Sequence, residues 1–179
     1  HDYLAMKLDF TMKGKLKVDM TEYVKSMIKD FPGEVSTSNY PWNENLFKVD
    51  EKSPKLSKEK RELFHTFVAK GLFLCKHGRP DIRPAIAYLT TRVKAPNEQD
   101  WFKLEKMLGY LKHTQNDVLT LNADDLNNIT WHLDAAFAVH NDKRSQTGAT
   151  MSLGEGAIQS VSTQQKINTR SFYRSRISV

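Results

Sequence analysis

Cysteine and long apolar runs are the scarcest features of this 179-residue chain. Cys75 is its one cysteine, which excludes an internal disulfide and is typical of proteins that stay in a reducing compartment. No apolar run approaches the roughly 20 residues that a membrane-spanning helix needs, and no charged-then-apolar leader opens the chain. We therefore interpret the chain as an excised piece of an intracellular protein that is neither secreted nor embedded in a membrane.

Acidic side chains are also in deficit, with 21 against 27 lysines and arginines, so the formal net charge is +6. A basic surplus of this kind favours a polyanionic partner. A hydrophobic content of 39% with three tryptophans is too high for a fully disordered chain. The length suffices for one good core or two small ones.

The first two thirds of the chain combine a hairpin pattern with helical patterns. Short alternating runs around Gly14 predict a β-hairpin within residues 2–20, and Thr21 is expected to cap a short helix that ends at Pro32-Gly33. Residues 33–57 are rich in turn residues and predict an irregular loop. Apolar stripes then predict an antiparallel three-helix bundle. Its helices are predicted from Lys58, capped by Ser57, to about His77, from Ile82 to Val93, and onward from a cap at Asn97.

The remainder alternates with the period of β-strands. Strands are predicted at 117–121 and 129–139, followed by a hairpin of 147–153 and 157–163 around Gly154-Glu155-Gly156. Along 129–139, Trp131, Leu133 and Phe137 are expected to pack inward, with His132 and Asp134 on the opposite face. The sequence therefore predicts an α+β fold, in which a hairpin and a three-helix bundle precede a small antiparallel sheet.

Few of the polar groups stand out by themselves. Lys103, Lys106 and Lys112 fall largely off the apolar stripe of the last helix, which is typical of a solvated face. His132 lies two residues from Asp134 on one strand face, but two ligands without a third make a poor metal site. Asp124-Asp125 is interpreted as a solvated turn, and Cys75 as a core residue.

Short segments spread over most of the chain nevertheless resemble the reverse transcriptase and ribonuclease H region of copia-type retrotransposon polyproteins. Each segment alone is weak evidence, whereas their order, spacing and coverage together are specific. Ala5 departs from the family, which has glycine at that position of a Tyr-Leu-Gly-Met hairpin. The segments are Tyr3-Leu4-Ala5-Met6, Arg79-Pro80-Asp81-Ile82, Trp101 with Leu108-Gly109-Tyr110-Leu111-Lys112, Asp134-Ala135, and Arg144-Ser145-Gln146-Thr147-Gly148.

The last eight residues, Phe172 to Val179, add a second resemblance in a shifted reading frame. Back-translated and read one base later, they give Ser-Thr-Glu-Ala-Glu-Leu-Val. In this family a Ser-Thr-Glu-Ala-Glu run opens the ribonuclease H helix that carries a catalytic glutamate. One extra T after the Ser171 codon explains the match, so residues 171–179 are interpreted as an out-of-frame tail that should lack packing from Phe172 onward.

The resemblance implies two units. Residues 1–116 would comprise the primer-grip hairpin and the thumb region, and residues 117–170 a truncated ribonuclease H-like domain. The thumb parts hold an RNA–DNA or DNA duplex through salt-sensitive phosphate contacts, for which Arg92, Lys103, Lys106 and Lys112 are the candidates. The Tyr-x-Asp-Asp motif of the polymerase site is not present. No small-molecule ligand is expected.

Ribonuclease H chemistry uses several carboxylates to hold two divalent cations about 4 Å apart. The intact family enzyme takes Mg²⁺ or Mn²⁺, and Asp134 matches its first-strand catalytic aspartate and metal ligand. In this chain the helix glutamate is lost to the frame slip, so the site is incomplete and neither bound metal nor catalysis is expected. The alternative is that the chain is part of an active polymerase and ribonuclease H whose other segments were lost from the gene model.

Overall fold

Two antiparallel sheets and four helices make up residues 1–166, the part of the chain that the computed structural model describes. The fold class is α+β, as expected. The helices are α1 (Thr21–Asp30), α2 (Lys58–His77), α3 (Arg83–Arg92) and α4 (Glu98–His113), with a 3-10 turn at Pro80–Ile82 before α3. The strands are β1 (Asp2–Tyr3), β2 (Met6–Asp9), β3 (Lys15–Asp19), β4 (Leu119–Asn122), β5 (Thr130–Ala136), β6 (Gln146–Ser152) and β7 (Gln159–Gln164).

The first sheet has the order β1-β2-β3-β4. Two hairpins supply its first three strands, and β4 arrives from beyond the helices to pair with β3, placing Leu121 opposite Leu16. The apolar side chains of β2, β3 and β4 pack on the core, while their lysines lie on the opposite face. The first sheet therefore contains strands from both sides of residue 116, where the resemblance predicts a domain boundary.

The tight turn between β1 and β2 is built without glycine. Tyr3 pairs with Met6, and the two residues between them, Leu4 and Ala5, both have positive φ, at 47° and 60°. A two-residue hairpin loop of this type needs left-handed backbone at both positions, which costs a residue with a Cβ roughly 1–2 kcal/mol. The backbone of Ala5 is therefore strained, at the position where the family that the chain resembles has glycine.

Two helix caps read from the sequence, Ser57 and Asn97, are confirmed. The Ser57 hydroxyl accepts the Lys60 N–H at the start of α2, and Gly78 follows its end. Asn97 and Asp100 form a reciprocal capping box on α4. The expected role of Thr21 is wrong: it is the first residue of α1, and its N–H is accepted by Asp19 instead.

One continuous core fills the space between the helices and the inner face of the first sheet. Its completely buried members come mainly from α2, α3 and α4, and the expectation that Cys75 is a core residue is confirmed. Burial raises the pKa of the Cys75 thiol to about 11. The largest of the buried side chains are Phe64, Met27, Leu74, Ile82, Ile86, Leu89, Leu104, Met107, Leu108 and Leu111.

The second sheet has the order β5-β6-β7. The expectation that Trp131, Leu133 and Phe137 pack inward is wrong. Trp131, Leu133 and Phe137 are 49%, 55% and 39% exposed. The opposite face of the sheet contacts the helices instead. His132, Thr150 and Ser160 lie side by side on that face, and Ser160 accepts a hydrogen bond from Arg83 at the start of α3.

Two further contacts join the second sheet to the rest of the chain. The Gly154-Glu155-Gly156 turn predicted between β6 and β7 is present and packs on the end of β4, where Asn122 accepts the Glu155 N–H. Glu155 also pairs with Lys15 of β3 at 2.7 Å. On the other side, Asn141 exchanges two hydrogen bonds with the backbone of Val49. The expected lack of packing from Phe172 onward concerns residues outside the described range.

Candidate nucleic-acid and carboxylate sites

Asp134, the predicted catalytic residue, lies near the middle of β5 with an exposed side chain. Its carboxylate accepts the N–H of Ala135 at 2.8 Å, and Gly148 faces it across the strand pair. It lines a crevice of about 340 Å³ between the polar face of the second sheet and the segment that begins α3. A catalytic carboxylate has to be accessible to a polymeric substrate, and this position meets that need.

Two charged groups beside this crevice, Asp81 and Arg83, already make hydrogen bonds within the fold. Asp81 accepts hydrogen bonds from the Arg79 guanidinium and, at 2.8 Å, from the Tyr110 hydroxyl. Burial, and then the hydrogen bond to Asp81, raises the pKa of Tyr110. Arg83 is held by Ser160 at 3.1 Å. Asp81 therefore acts as a structural anion within the fold.

A pair of Mg²⁺ or Mn²⁺ ions does not fit the donors that surround Asp134. Two-metal hydrolysis needs several carboxylates converging on cations about 4 Å apart. Within residues 1–166, no group of three or more His, Cys, Asp or Glu side chains is arranged to hold a metal ion. His132 lines the same crevice but adds one nitrogen donor only.

The four predicted phosphate contacts occupy very different environments. Lys103 is not on a solvated face: it is 8% exposed, and its ammonium donates to the Lys48 carbonyl at 2.6 Å and the Tyr88 hydroxyl at 3.0 Å. Arg92 is paired with Asp100 at 3.0 Å. Lys112 donates to the carbonyl of Val35 at 2.8 Å. Lys106 is half-buried between two shallow pockets beside α4, and no hydrogen bond engages its ammonium in the described structure.

Asp100 is the centre of a polar cluster that contains Arg92 and, through Tyr88, Lys103, and the sequence alone does not reveal that role. It is completely buried and accepts hydrogen bonds from Tyr88, Arg92 and the N–H of Asn97. Burial lowers the pKa of Lys103 to about 8, and together with Asp100 it raises that of Tyr88. The spacing of Asn97 and Asp100 is typical of a capping box and could have added Asp100 to the cap predicted at Asn97, but it does not reveal the link to α3.

A larger cleft, of about 510 Å³, lies between α3, the 47–51 loop and the second sheet. Phe47 and the imidazole of His140 pack at 4.9 Å along its wall, and Gln146 Oε1 accepts a hydrogen bond from that imidazole at 2.9 Å. Gln146 also donates to Ser162. These polar groups satisfy one another and help to hold the second sheet against α3 and the 47–51 loop.

Exposed lysines gather on the outer side of the first two hairpins. Lys7 is exposed on β2, Lys17 is half-buried on β3, and Lys13 is exposed in the loop that joins these strands. Asp19 and Asp9 lie opposite Lys7 and Lys17 in the strand register. The family resemblance assigns residues 2–20 to gripping a duplex, but Lys7, Lys13 and Lys17 are not among the predicted contacts.

Comparison with known protein families, curated proteins and solved structures finds no match to this chain. Within the described range, no helix is long and apolar enough to cross a membrane.

Proposed function

We propose that this chain is a fragment of a copia-type reverse transcriptase and ribonuclease H polyprotein, whose folded part holds a template–primer duplex and performs no chemistry. The observation that carries the proposal is the position of the resembling segments in the fold. Tyr3-Leu4-Ala5-Met6 forms a tight hairpin, Leu108-Gly109-Tyr110 lies in the buried part of α4, and Asp134 lies on the first strand of the second sheet. A hairpin, a helical bundle and a sheet thus follow one another in the order that the family implies.

The predicted phosphate contacts need one revision. A side chain that already bonds inside the fold, as Arg92, Lys103 and Lys112 do, reaches a phosphate only by giving up that bond. The exposed hairpin lysines and Lys106 have no such cost. We therefore assign the duplex contacts to Lys7, Lys13, Lys17 and Lys106.

Binding to a fluorescent RNA–DNA hybrid tests this assignment. Affinity should fall as salt rises, because phosphate contacts release counterions. The Lys7→Gln/Lys13→Gln/Lys17→Gln variant should bind more weakly and lose up to about three units from the slope of log affinity against log salt. The matched control is Lys58→Gln/Arg61→Gln/Lys76→Gln, which removes three exposed charges from α2.

Equal effects of the two triple variants would mean that net charge alone drives binding. Binding that ignores salt would remove the nucleic-acid assignment altogether. Lys106→Gln should give a smaller loss in the same direction as the hairpin variant.

Hydrolysis is tested separately by repairing the reading frame. Deleting one base after the Ser171 codon should restore the glutamate-bearing helix and, with intact codons downstream, the rest of the ribonuclease H domain. The repaired chain should cleave the RNA strand of a hybrid with magnesium or manganese, and Asp134→Asn should abolish that cleavage. Cleavage by the unrepaired chain that survives Asp134→Asn would overturn both the role of Asp134 and the claim of inactivity.

The exposed apolar face of the second sheet favours the alternative, in which the chain belongs to an active polymerase and ribonuclease H. Trp131 and Leu133 are about half exposed, which is unusual for large apolar side chains in a finished domain. Further segments of a longer chain would supply a cover. The nucleotides on both sides decide: a Tyr-x-Asp-Asp codon run upstream and in-frame Glu and Asp codons downstream favour the active enzyme, whereas stop codons throughout favour the inactive fragment.

A further inference from the structure

The outer edge of β5 is unpaired in the part of the chain that the structure describes. β5 ends the second sheet on one side, and within residues 1–166 no strand pairs with its other edge. Thr130 to Asp134 are all exposed. Edge strands usually carry lysine, proline or a bulge that discourages pairing, and β5, with the sequence TWHLDAA, has none of these.

The backbone shows which groups an incoming strand would meet. The N–H of Ala135 donates to the carboxylate of Asp134 and so points away from β6. Backbone groups alternate in direction along an antiparallel strand. The N–H and C=O groups of Trp131 and Leu133 therefore also point to the open edge.

We propose that this edge pairs with the β5 edge of a second copy of the chain. The two strands run antiparallel about a twofold axis at Leu133, so that Leu133 lies opposite its own copy. Trp131 then lies opposite Ala135, and His132 lies opposite Asp134, each pair occurring twice. A twofold contact of this kind closes on itself and stops at two copies.

The sequence of β5 is complementary to itself in this register. On one face, the two Leu133 side chains meet between two pairs of Trp131 and Ala135, which buries the surface of Leu133 and Trp131 that is exposed in the single chain. On the other face, each imidazole of His132 donates to a carboxylate of Asp134. Centring the axis on His132 instead would set two imidazoles against each other and leave Asp134 opposite Thr130.

Pairing also rearranges one bond that the single chain makes. The Ala135 N–H transfers from the Asp134 carboxylate to the Trp131 carbonyl of the second copy, and the carboxylate accepts His132 of that copy. The contact area is small, and interfaces below about 1,200 Å² are typical of weak or transient complexes. Association should therefore depend on concentration.

Cysteine cross-linking of the full-length chain tests the register. In Leu133→Cys, the two cysteines would face each other with Cα atoms about 5.5 Å apart, within disulfide range, so mild oxidation should give a covalent dimer. Trp131→Cys is the control, because its two copies would lie about 13 Å apart along the strands. The native Cys75 is buried and adds no background.

A Leu133→Cys chain that stays monomeric under oxidant would overturn the proposal. So would Trp131→Cys or His132→Cys cross-linking as readily as Leu133→Cys.

Sedimentation of the unmodified chain gives an independent readout. Its mass should rise from 20.6 kDa toward twice that value with concentration. Leu133→Lys should hold the chain at the monomer mass, whereas Leu126→Lys, at a 79% exposed position before β5, should not. Far-UV circular dichroism of both variants serves as the check that they are folded. A monomer at every concentration, or a dimer that survives Leu133→Lys, would contradict the pairing.

Discussion

The side chain of Asp100 determines the environment of two basic residues, Arg92 and Lys103. It bonds to the partly buried Arg92 and, through Tyr88, connects with the buried Lys103, although both look like surface cations in the sequence. Buried charges are stable only when paired and hydrogen-bonded, so the carboxylate and the two cations depend on one another. The number of charged residues does not reveal this cluster, because Arg92 lies on α3 and Asp100 lies on α4.

Asp100→Asn should therefore cost about 3 kcal/mol in the free energy of unfolding, since it leaves Arg92 and Lys103 without a counter-charge. Glu98→Gln is the control, because it removes a carboxylate two residues away whose partner is the partly exposed Lys60. That change should cost less than about 1 kcal/mol. Urea unfolding measures both, and equal losses would show that burial of the Asp100 cluster is unimportant.

Lys103 should give the protein a distinctive pH dependence. Its pKa is about 8 in the folded chain against 10.5 for an ordinary lysine. Above pH 8 the unfolded chain holds a proton that the folded chain has lost, so stability should rise with pH, by on the order of 1 kcal/mol between pH 8 and 9. Above pH 9 the buried Cys75 thiol acts in the opposite direction.

Lys103→Met should remove this rise. The measurement is urea unfolding at pH 8 and pH 9 in a reducing buffer. The same slope in Lys103→Met and the unmodified protein would contradict the assignment.

At the level of elements, the helix boundaries could be predicted well and the sheet faces only in part. Ser57 and Asn97 signal helix starts through bonds within a few residues, which a linear sequence records. The apolar and polar residues of β5 alternate just as locally, but that pattern does not predict the exposure of Trp131 and Leu133. Which of its two faces meets the helices depends on the contact of Arg83 with Ser160, and no pattern within the strand encodes that contact.

The β1–β2 turn gives a stability prediction at this scale. Ala5→Gly should raise the free energy of unfolding by about 1 kcal/mol, because glycine adopts positive φ without steric cost. The same replacement at Ala69, an exposed position inside α2, should lower it by about 1 kcal/mol. Thermal unfolding compares the two, and a destabilised Ala5→Gly would contradict the left-handed turn.

Gly109 and Gly71 differ in what an added methyl group would meet. At Gly109 it would overlap the backbone carbonyl of Ser36, whereas at Gly71 it would meet the end of the Ile86 side chain, which can rotate. Gly109→Ala should therefore cost at least about 1 kcal/mol more than Gly71→Ala in urea unfolding. The reverse order would mean that the 36–38 segment yields more readily than the core.

At the scale of the whole molecule, the net charge is unevenly distributed. Arg170, Arg174 and Arg176 carry half of the surplus of +6, and no acidic residue accompanies them in the last thirteen residues. Residues 1–166 therefore carry a smaller net positive charge than the whole chain. A basic total alone is weak evidence for a shaped binding surface.

Replacing these three arginines with glutamine should weaken binding to heparin, single-stranded DNA and hybrid duplex alike, because a charge-only contact does not distinguish polyanions. The hairpin triple variant should weaken binding to duplex most. Fluorescence anisotropy with the three ligands compares them. A tail variant that affects duplex alone would mean that the tail takes part in duplex recognition.

The pairing of β3 with β4 has a consequence for the order of synthesis and folding. Val18 meets Leu119, so every helix of the bundle is translated between the two strands. Until the ribosome has released β4, the outer edge of β3 stays unpaired beside exposed apolar side chains, and contacts of such long sequence separation form slowly. The nascent chain is therefore most prone to aggregate after its hairpins have emerged and before β4 has followed.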